Sequence, residues 1–175
     1  MKKKIAILGS TGSIGKSLLK VISRDKNNFE ITLLTANKNY KTLLKQAKYF
    51  KVKNIIITDK KSYNIVKNKN LKTKVKIYNN FDIYNKIFPK KIDYVMSSIV
   101  GLDGLYPTIN IIKFTKKIAI ANKESIICAW NLIQKKLEKY NTEFIPVDSE
   151  HFSIWYAIKN QPNKMIDKIY LTASG

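Results

Sequence analysis

The segment GSTGSIG (residues 9–15) constrains the fold of this chain more than any other feature. A short apolar run at residues 5–8 precedes it, and residues 16–22 carry apolar side chains at helical spacing. A buried strand, a glycine turn and a helix, in this order, are the context of a dinucleotide-binding loop. Glycines let the backbone approach a pyrophosphate, and the helix N-terminus offers free N–H groups. The GxxGxxG spacing favours NADP, whereas the alternative is a tight turn with a structural role only.

Short apolar strands alternate with helical segments along the rest of the chain. Repeated alternation of this kind predicts an α/β fold with a doubly wound, mostly parallel Rossmann-type sheet. We predict strands at residues 3–8, 29–35, 54–58, 74–78, 93–97, 117–121 and 143–147, with a further strand running into the glycine turn at 169–175; the predicted helices are 16–22, 40–50, 62–67, 81–88, 105–114 and 125–140.

The net charge of +21 comes almost entirely from lysines spread along the chain, with Arg24 as the sole arginine. Without an arginine cluster or an aromatic RNA-binding motif we expect no nucleic-acid partner. No apolar run approaches the roughly 20 residues that span a bilayer, so we expect no membrane partner. The single cysteine, Cys128, fits a reducing compartment and is predicted to be buried in a helix. No targeting segment precedes the first strand, which predicts a cytoplasmic location.

The end of the second predicted strand carries the signal for the choice of coenzyme. NAD-preferring sites place an Asp or Glu there to hold the ribose hydroxyls. This strand ends at Thr35, and the residues that follow it, ANKN (36–39), contain no acid. Lys38, flanked by two amides, suits a 2′-phosphate, so we expect NADP(H) rather than NAD(H). The alternative interpretation of Lys38 is an ordinary solvated lysine.

Two further polar clusters follow predicted strands, ANKES (121–125) and PVDSEH (146–151). Asp148 and Glu150 are two residues apart, so a turn would aim both carboxylates at one cation. Mg²⁺ and Mn²⁺ are bound by a few carboxylates and complete their shells with substrate oxygens and water. The alternative is a solvated surface pair.

Four motifs in the same order and at matching separations closely resemble the 1-deoxy-D-xylulose 5-phosphate reductoisomerase family: GSTGSIG (9–15), ANKES (121–125), PVDSEH (146–151) and LTASG (171–175). SSIVG (97–101) also resembles the family's segment beneath the nicotinamide half of the coenzyme. The resemblance implies NADPH- and metal-dependent isomerisation and reduction of deoxyxylulose phosphate to methylerythritol 4-phosphate, in the non-mevalonate route to isoprenoids. It also implies an NADP-binding domain at 1–147 and the beginning of a metal- and substrate-binding catalytic domain at 148–175.

The family's site residues transfer to this chain only where its motifs match. Three residues, Lys123, Asp148 and Glu150, are implied to be catalytic, and Asp148 and Glu150 would hold Mg²⁺ or Mn²⁺. A small phosphorylated sugar would contact Lys123, Ser149, Glu150 and Ser174. The implied NADPH contacts are Thr11, Gly12, Ser13, Ile14, Lys38, Asn39, Asn122 and Glu124.

Members of the family are roughly twice as long as this chain, and they are expected to form homodimers at full length. The remaining part would hold another metal-binding glutamate, further phosphate-binding residues and a lid, without which a site cannot exclude water. If residues 1–175 are the whole protein, we expect NADPH binding at most, as in a non-catalytic remnant of the enzyme. The other alternative, a different NADP-dependent reductase such as a semialdehyde dehydrogenase, needs a nucleophilic cysteine in a loop at a strand end. Cys128 instead lies within a helical pattern.

Overall fold

The computed structural model describes residues 1–68, 75–147, 149–159, 161–162 and 166–170, with only the backbone at 149 and 150. Within these residues it contains one sheet of seven parallel strands, which confirms the predicted α/β fold. The strands run in the order β4-β3-β2-β1-β5-β6-β7. Their bounds are Lys3–Leu8 (β1), Phe29–Ala36 (β2), Asn54–Ile57 (β3), Lys76–Tyr78 (β4), Ile92–Ser97 (β5), Thr115–Ile120 (β6) and Glu143–Pro146 (β7).

Helices connect the strands and lie on both faces of the sheet. Two single turns of 3-10 helix, Leu102–Gly104 and Ile112–Phe114, flank the fifth α-helix. The sixth α-helix is kinked at Ala129, whose φ of −141° and ψ of 27° are not helical. The α-helices in the described residues are Ser13–Arg24 (α1), Tyr40–Tyr49 (α2), Lys60–Asn68 (α3), Tyr84–Ile87 (α4), Leu105–Ile111 (α5), Lys123–Lys139 (α6) and Ser149–Ile158 (α7).

The strands carry apolar side chains on both faces because helices cover both faces. In β3, Ile55 and Ile57 pack in a core with Leu19, Leu43 and Val66 of α1, α2 and α3. The intervening Ile56 points to the opposite core, which α4, α5 and α6 cover with Tyr84, Ile111, Ile133 and their neighbours. The two cores account for the uninterrupted isoleucine run of this strand.

The topology creates a crevice at the carboxyl ends of β1 and β5. Both strands pair with each other, Leu8 lying opposite Ser97, but the chain leaves β1 towards β2 and leaves β5 towards β6. Ligands of doubly wound sheets bind in the crevice where the strand order reverses in this way. The fold therefore places the loop that follows Leu8 at the expected binding position.

Several predicted segments are shorter or less regular than expected. The strand predicted at 74–78 is formed over Lys76–Tyr78, with residue 74 outside the described residues, and the helix predicted at 105–114 ends in the 3-10 turn Ile112–Phe114. The helix predicted at 81–88 is reduced to α4, because the side chain of Asn80 accepts a hydrogen bond from the backbone N–H of Asp82 (3.2 Å), which holds a turn there. The strand predicted from residue 169 is not formed at Ile169 or Tyr170, which are 53% and 81% exposed. Residues 171–175, where that prediction continued, lie outside the described residues.

Cys128 is exposed rather than buried, contrary to the prediction. The buried side chains of α6 lie on one stripe, at Ser125, Ile133 and Leu137, with the half-buried Ala129 between the first two. Cys128 is one residue off this stripe, which turns it about 100° away from the sheet. The apolar run around it extends beyond the buried face, and Ile127 is 80% exposed.

The turn predicted at 148–150 is also wrong in part, since Ser149 and Glu150 begin α7. This helix contains neither glycine nor proline, and its rings of Phe152, Trp155 and Tyr156 lie against one another.

Across the described residues, no helix combines the length and the apolar character needed to cross a bilayer.

Candidate functional site

An open cleft of about 780 Å³ lies along the carboxyl ends of β1, β2, β3 and β5. Its volume falls within the range of small-molecule and coenzyme sites. Six segments line it: the glycine loop, the end of β2 with the residues after it, the start of α3 with the residues before it, the segment before α4, the loop after β5 with its 3-10 turn, and the first turn of α5. The lining residues are Gly9, Thr11, Gly12, Thr35, Ala36, Asn37, Lys38, Thr58, Asp59, Lys60, Phe81, Ser98, Ile99, Val100, Leu102, Asp103, Tyr106 and Pro107.

The glycine loop is packed against backbone at two points where a side chain has no room. Gly9 has a φ of +81°, and a Cβ on it would stand 2.7 Å from the carbonyl oxygen of Ser98. A Cβ on Gly15 would stand 2.6 Å from the carbonyl oxygen of Gly9. Gly9 therefore closes the gap between β1 and β5, and Gly15 lets α1 approach the loop. This cradle fits a pyrophosphate, since the first glycine of such loops makes the turn and the last allows close helix packing.

Two polar residues that the sequence analysis did not single out support the loop from below. The Thr35 hydroxyl accepts a hydrogen bond from the Gly9 N–H (2.9 Å), and its carbonyl accepts one from the Ser10 N–H (2.9 Å). Gln46 of α2 exchanges two hydrogen bonds with Ser10, one to the backbone carbonyl and one from the hydroxyl. The sequence does carry a signal for Gln46, because it is a polar residue on the inner face of α2, next to the buried Leu43 and Ala47.

The N-terminus of α1 opens towards the cleft. Gly12 is its N-cap and makes no side-chain hydrogen bond, and no acidic residue lies in the first turn. Ser13 and Ile14 are exposed, and Thr11 is half-buried. The four predicted NADPH contacts of this loop, residues 11–14, thus stand together beside the free amides of a helix start, where anions bind.

The far end of the cleft combines Lys38 with the start of α3. The Ser62 hydroxyl donates to the Lys38 carbonyl (3.3 Å), so α3 holds the loop that carries this lysine. Hydrogen bonds from Ser62, with the nearby charges of Lys38 and Lys61, lower the pKa of Asp59 below its ordinary value. Asn39, also predicted to contact NADPH, caps α2 by accepting a hydrogen bond from the Thr42 N–H (3.3 Å).

The loop after β5 forms the wall opposite the glycine loop. The Ser98 hydroxyl donates to the Leu8 carbonyl (2.8 Å), which joins the ends of β5 and β1. Two apolar side chains of this segment stand in the open, Val100 at 85% exposure and Leu102 at 63%. Exposed aliphatic groups beside a concave surface are typical of ligand contacts.

The predicted catalytic residues are described in part. Lys123 and Glu124 lie exposed at the start of α6, at the same edge of the sheet as the cleft. Asp148 and Ser174 lie outside the described residues, and Ser149 and Glu150 are described by their backbone alone. Among the side chains that the structure describes, no three His, Cys, Asp or Glu residues group together as metal ligands do.

Two family models match the chain. The model described as 1-deoxy-D-xylulose 5-phosphate reductoisomerase matches residues 5–130. The model of the C-terminal domain of the same enzyme matches residues 144–175. Together they cover all four motifs of the sequence analysis.

Individual relatives show the same similarity. The chain is 63% identical over 175 residues to 1-deoxy-D-xylulose 5-phosphate reductoisomerase of Pelagibacter ubique, which covers 99% of this chain and 45% of that protein. The enzyme of Zymomonas mobilis, solved with NADPH, superposes with a TM-score of 0.78 at 35% identity, over 86% of this chain and 40% of the other. A reductoisomerase solved with NADPH, fosmidomycin and magnesium gives a TM-score of 0.81 at 31% identity, over 91% and 40%. The chain thus spans about half the length of the relatives that it matches.

Proposed function

The chain belongs to the 1-deoxy-D-xylulose 5-phosphate reductoisomerase family, and from this membership we propose that it forms the NADPH-binding part of such an enzyme. The proposed reaction isomerises 1-deoxy-D-xylulose 5-phosphate and reduces the product to 2-C-methyl-D-erythritol 4-phosphate, with a divalent metal ion, in the non-mevalonate isoprenoid pathway. The cleft at the reversal of strand order supports the proposal most directly, because it joins a glycine cradle to a lysine at one end.

We assign the coenzyme along the cleft as follows. The pyrophosphate lies at the free amides of the first turn of α1, beside Thr11, Gly12, Ser13 and Ile14. The 2′-phosphate lies at Lys38 and Asn39, and the nicotinamide lies near the loop after β5. When bound, NADPH supplies the hydride. The protein orients the coenzyme through hydrogen bonds to its phosphates and through apolar contacts to its ring.

The remaining predicted residues are proposed to act on the substrate and the metal. Lys123 places a positive charge where negative charge develops on the substrate, and Glu124 contacts the coenzyme from the same turn of α6. We propose Asp148 and Glu150 as ligands of Mg²⁺ or Mn²⁺, with Ser149, Glu150 and Ser174 as substrate contacts. Relatives of this chain have been solved with magnesium and fosmidomycin. The domain boundary after residue 147, a homodimer at full length and a cytoplasmic location stay predictions.

The first experiment titrates the 175-residue chain with NADPH and NADH and follows coenzyme fluorescence. We expect saturable NADPH binding and weaker NADH binding. Lys38→Glu should weaken NADPH by about tenfold or more and NADH by less than about twofold, because only NADPH carries the 2′-phosphate. Lys45→Glu, on the exposed side of α2, is the matched control for the change in net charge. Equal losses for both coenzymes would remove the assignment of Lys38, and absence of saturable binding by the unaltered chain would overturn the proposed function.

The second experiment follows NADPH oxidation at 340 nm after addition of 1-deoxy-D-xylulose 5-phosphate and Mg²⁺ or Mn²⁺. If turnover occurs, Asp148→Ala and Glu150→Ala should abolish it and leave NADPH affinity unchanged. Turnover retained in these variants would contradict the metal assignment. Binding without turnover would assign residues 1–175 the coenzyme-binding step alone.

A reductase with a nucleophilic cysteine is disfavoured, since Cys128 is on the outer side of α6 and does not line the cleft.

A further inference from the structure

Asn122 is predicted to contact NADPH, yet its side chain is 2% exposed and fully engaged within the protein. Its Nδ2 donates to the carbonyl of Ile99 (2.5 Å) and to the carbonyl of Gly101 (2.6 Å). Its Oδ1 accepts from the N–H of Ser125 (2.8 Å) and so caps α6. Both amide hydrogens and the carbonyl oxygen are therefore used, and the side chain does not line the cleft.

The two carbonyls that Asn122 holds stand on either side of Val100. Val100 is 85% exposed and lines the cleft opposite the glycine loop. Gly101 follows it with a φ of +74°, a backbone conformation that residues with a side chain rarely adopt. The Ile99 carbonyl belongs to the peptide group that precedes Val100, and the Gly101 carbonyl to the one that follows Gly101. Asn122 therefore holds the chain at both ends of the Val100–Gly101 segment, which restricts the direction of the Val100 side chain.

The glycine at position 104 makes room for the hydrogen bonds of the Asn122 side chain. A Cβ on Gly104 would stand 2.1 Å from Nδ2 of Asn122 and 2.6 Å from the Ile99 carbonyl oxygen. The φ of Gly104 is −78°, which any residue adopts, so conformation does not require a glycine here. The space that the missing side chain leaves is filled by the Asn122 amide.

We propose that Asn122 is a positioning residue, which sets the coenzyme-facing loop at residues 99–101 against the nicotinamide half of NADPH and couples that loop to the start of α6. The inference rests on the proposed NADPH binding. It assigns Asn122 an action through Val100 rather than through a direct side-chain contact. It also joins the cleft wall to the helix turn that carries Lys123 and Glu124.

The test separates the two roles of the amide with Asn122→Asp. Aspartate caps a helix as well as asparagine does, so the bond from the Ser125 N–H is retained. It donates no hydrogen bond, and its charge repels the two loop carbonyls, so residues 99–101 are released. We expect NADPH affinity to fall about tenfold or more, and affinity for 2′,5′-ADP, which lacks the nicotinamide, to change less than about twofold.

Further variants keep the test decisive if Asn122→Asp folds poorly. Asn122→Ser also keeps a capping oxygen, but the serine side chain is too short to reach both carbonyls. Gly104→Ala leaves residue 122 as asparagine, but its added methyl group pushes the Asn122 amide away from the two carbonyls. Both should show the same selective loss. Asn54→Ser is the matched control, since the Asn54 amide donates to the Thr32 carbonyl (3.2 Å) at the opposite edge of the sheet. It should leave both affinities unchanged.

Two results would overturn the inference while the unaltered chain still binds NADPH. One is wild-type NADPH affinity in a folded Asn122→Asp or Asn122→Ser variant. The other is an equal loss of affinity for NADPH and 2′,5′-ADP, which indicates a general structural role. Failure of the unaltered chain to bind NADPH is a different outcome, which overturns the proposed function and this inference with it.

Discussion

Gly15→Ala should lower both the stability of the chain and its affinity for NADPH. A Cβ at this position would stand 2.6 Å from the Gly9 carbonyl oxygen and 2.6 Å from the Cα of Ser10, whereas ordinary contact begins at 3.4 Å. The helix α1 would therefore have to withdraw from the loop by up to about 0.8 Å. Both obstructing atoms belong to the backbone, so no side-chain rotation relieves the overlap.

The expected magnitude follows from two opposing effects. Overpacking of this kind costs about 1–3 kcal/mol, while alanine is favoured over glycine within a helix by up to about 1 kcal/mol. A net loss of about 1–2 kcal/mol lowers Tm by about 2–8 °C in a chain of this size. Withdrawal of α1 also moves its first-turn amides away from the pyrophosphate, so NADPH affinity should fall by about tenfold.

Thermal unfolding followed by circular dichroism and NADPH titration measure the two effects. Gly12→Ala is the control for stability, because a Cβ there meets only the Gly9 carbonyl oxygen, at 3.4 Å, and its φ of −74° suits alanine. Its Tm should stay within about 2 °C of the unaltered chain, since the loss of a favoured N-cap glycine and the gain in chain stiffness nearly cancel. A Gly15→Ala chain that melts as high as the unaltered one and binds NADPH equally well would refute the reasoning.

Two further predictions concern stability. The Tyr84 hydroxyl is buried without a hydrogen-bond partner among the described residues, so Tyr84→Phe should stabilise the chain by about 1 kcal/mol and raise Tm by about 2–4 °C. Tyr49→Phe, at a residue that is 58% exposed, is the control, and a lower Tm for Tyr84→Phe would contradict the prediction. A hydrogen bond from Lys117 is the largest cause that lowers the pKa of Glu143 below 4.5. This carboxylate therefore adds stability above its ordinary pKa and loses that contribution as pH falls through the lowered value. Glu143→Gln should accordingly lower Tm at pH 7 and converge with the unaltered chain as pH falls through the lowered pKa of Glu143, whereas parallel curves would contradict this.

The sheet and the glycine loop were predictable because their signals are local. The isoleucine run of β3 is apolar throughout and bounded by polar residues, which indicates a strand buried on both faces. The order of strand, glycine segment and helix around Gly9 fixes the loop without any knowledge of distant residues. The predicted helix at 81–88 was too long because a side chain competes locally with the helix for a backbone N–H. The Asn80 side chain accepts the bond from the Asp82 N–H in an Asx turn, which shortens α4.

The supports of the site were not predictable, because each depends on contacts between residues far apart in sequence. Thr35 and Gln46 are ordinary polar residues until β2 and α2 bring them beneath the glycine loop. Asn122 was singled out by its motif, but its bonds to the loop after β5 follow only from the pairing of β5 with β6. Sequence reasoning finds the residues that face a ligand more readily than those that hold them in place.

The central position of β1 has a consequence for synthesis on the ribosome. This strand emerges first, and β2 soon covers one of its edges, but its other partner is β5, with Ile5 paired to Tyr94. Until β5 has left the exit tunnel, the nascent polypeptide presents an unpaired apolar strand edge, a template for association between chains. Slow translation before β5 (Ile92–Ser97) has emerged from the tunnel would prolong that exposure, whereas pauses after its emergence would fall when the edge is already closed.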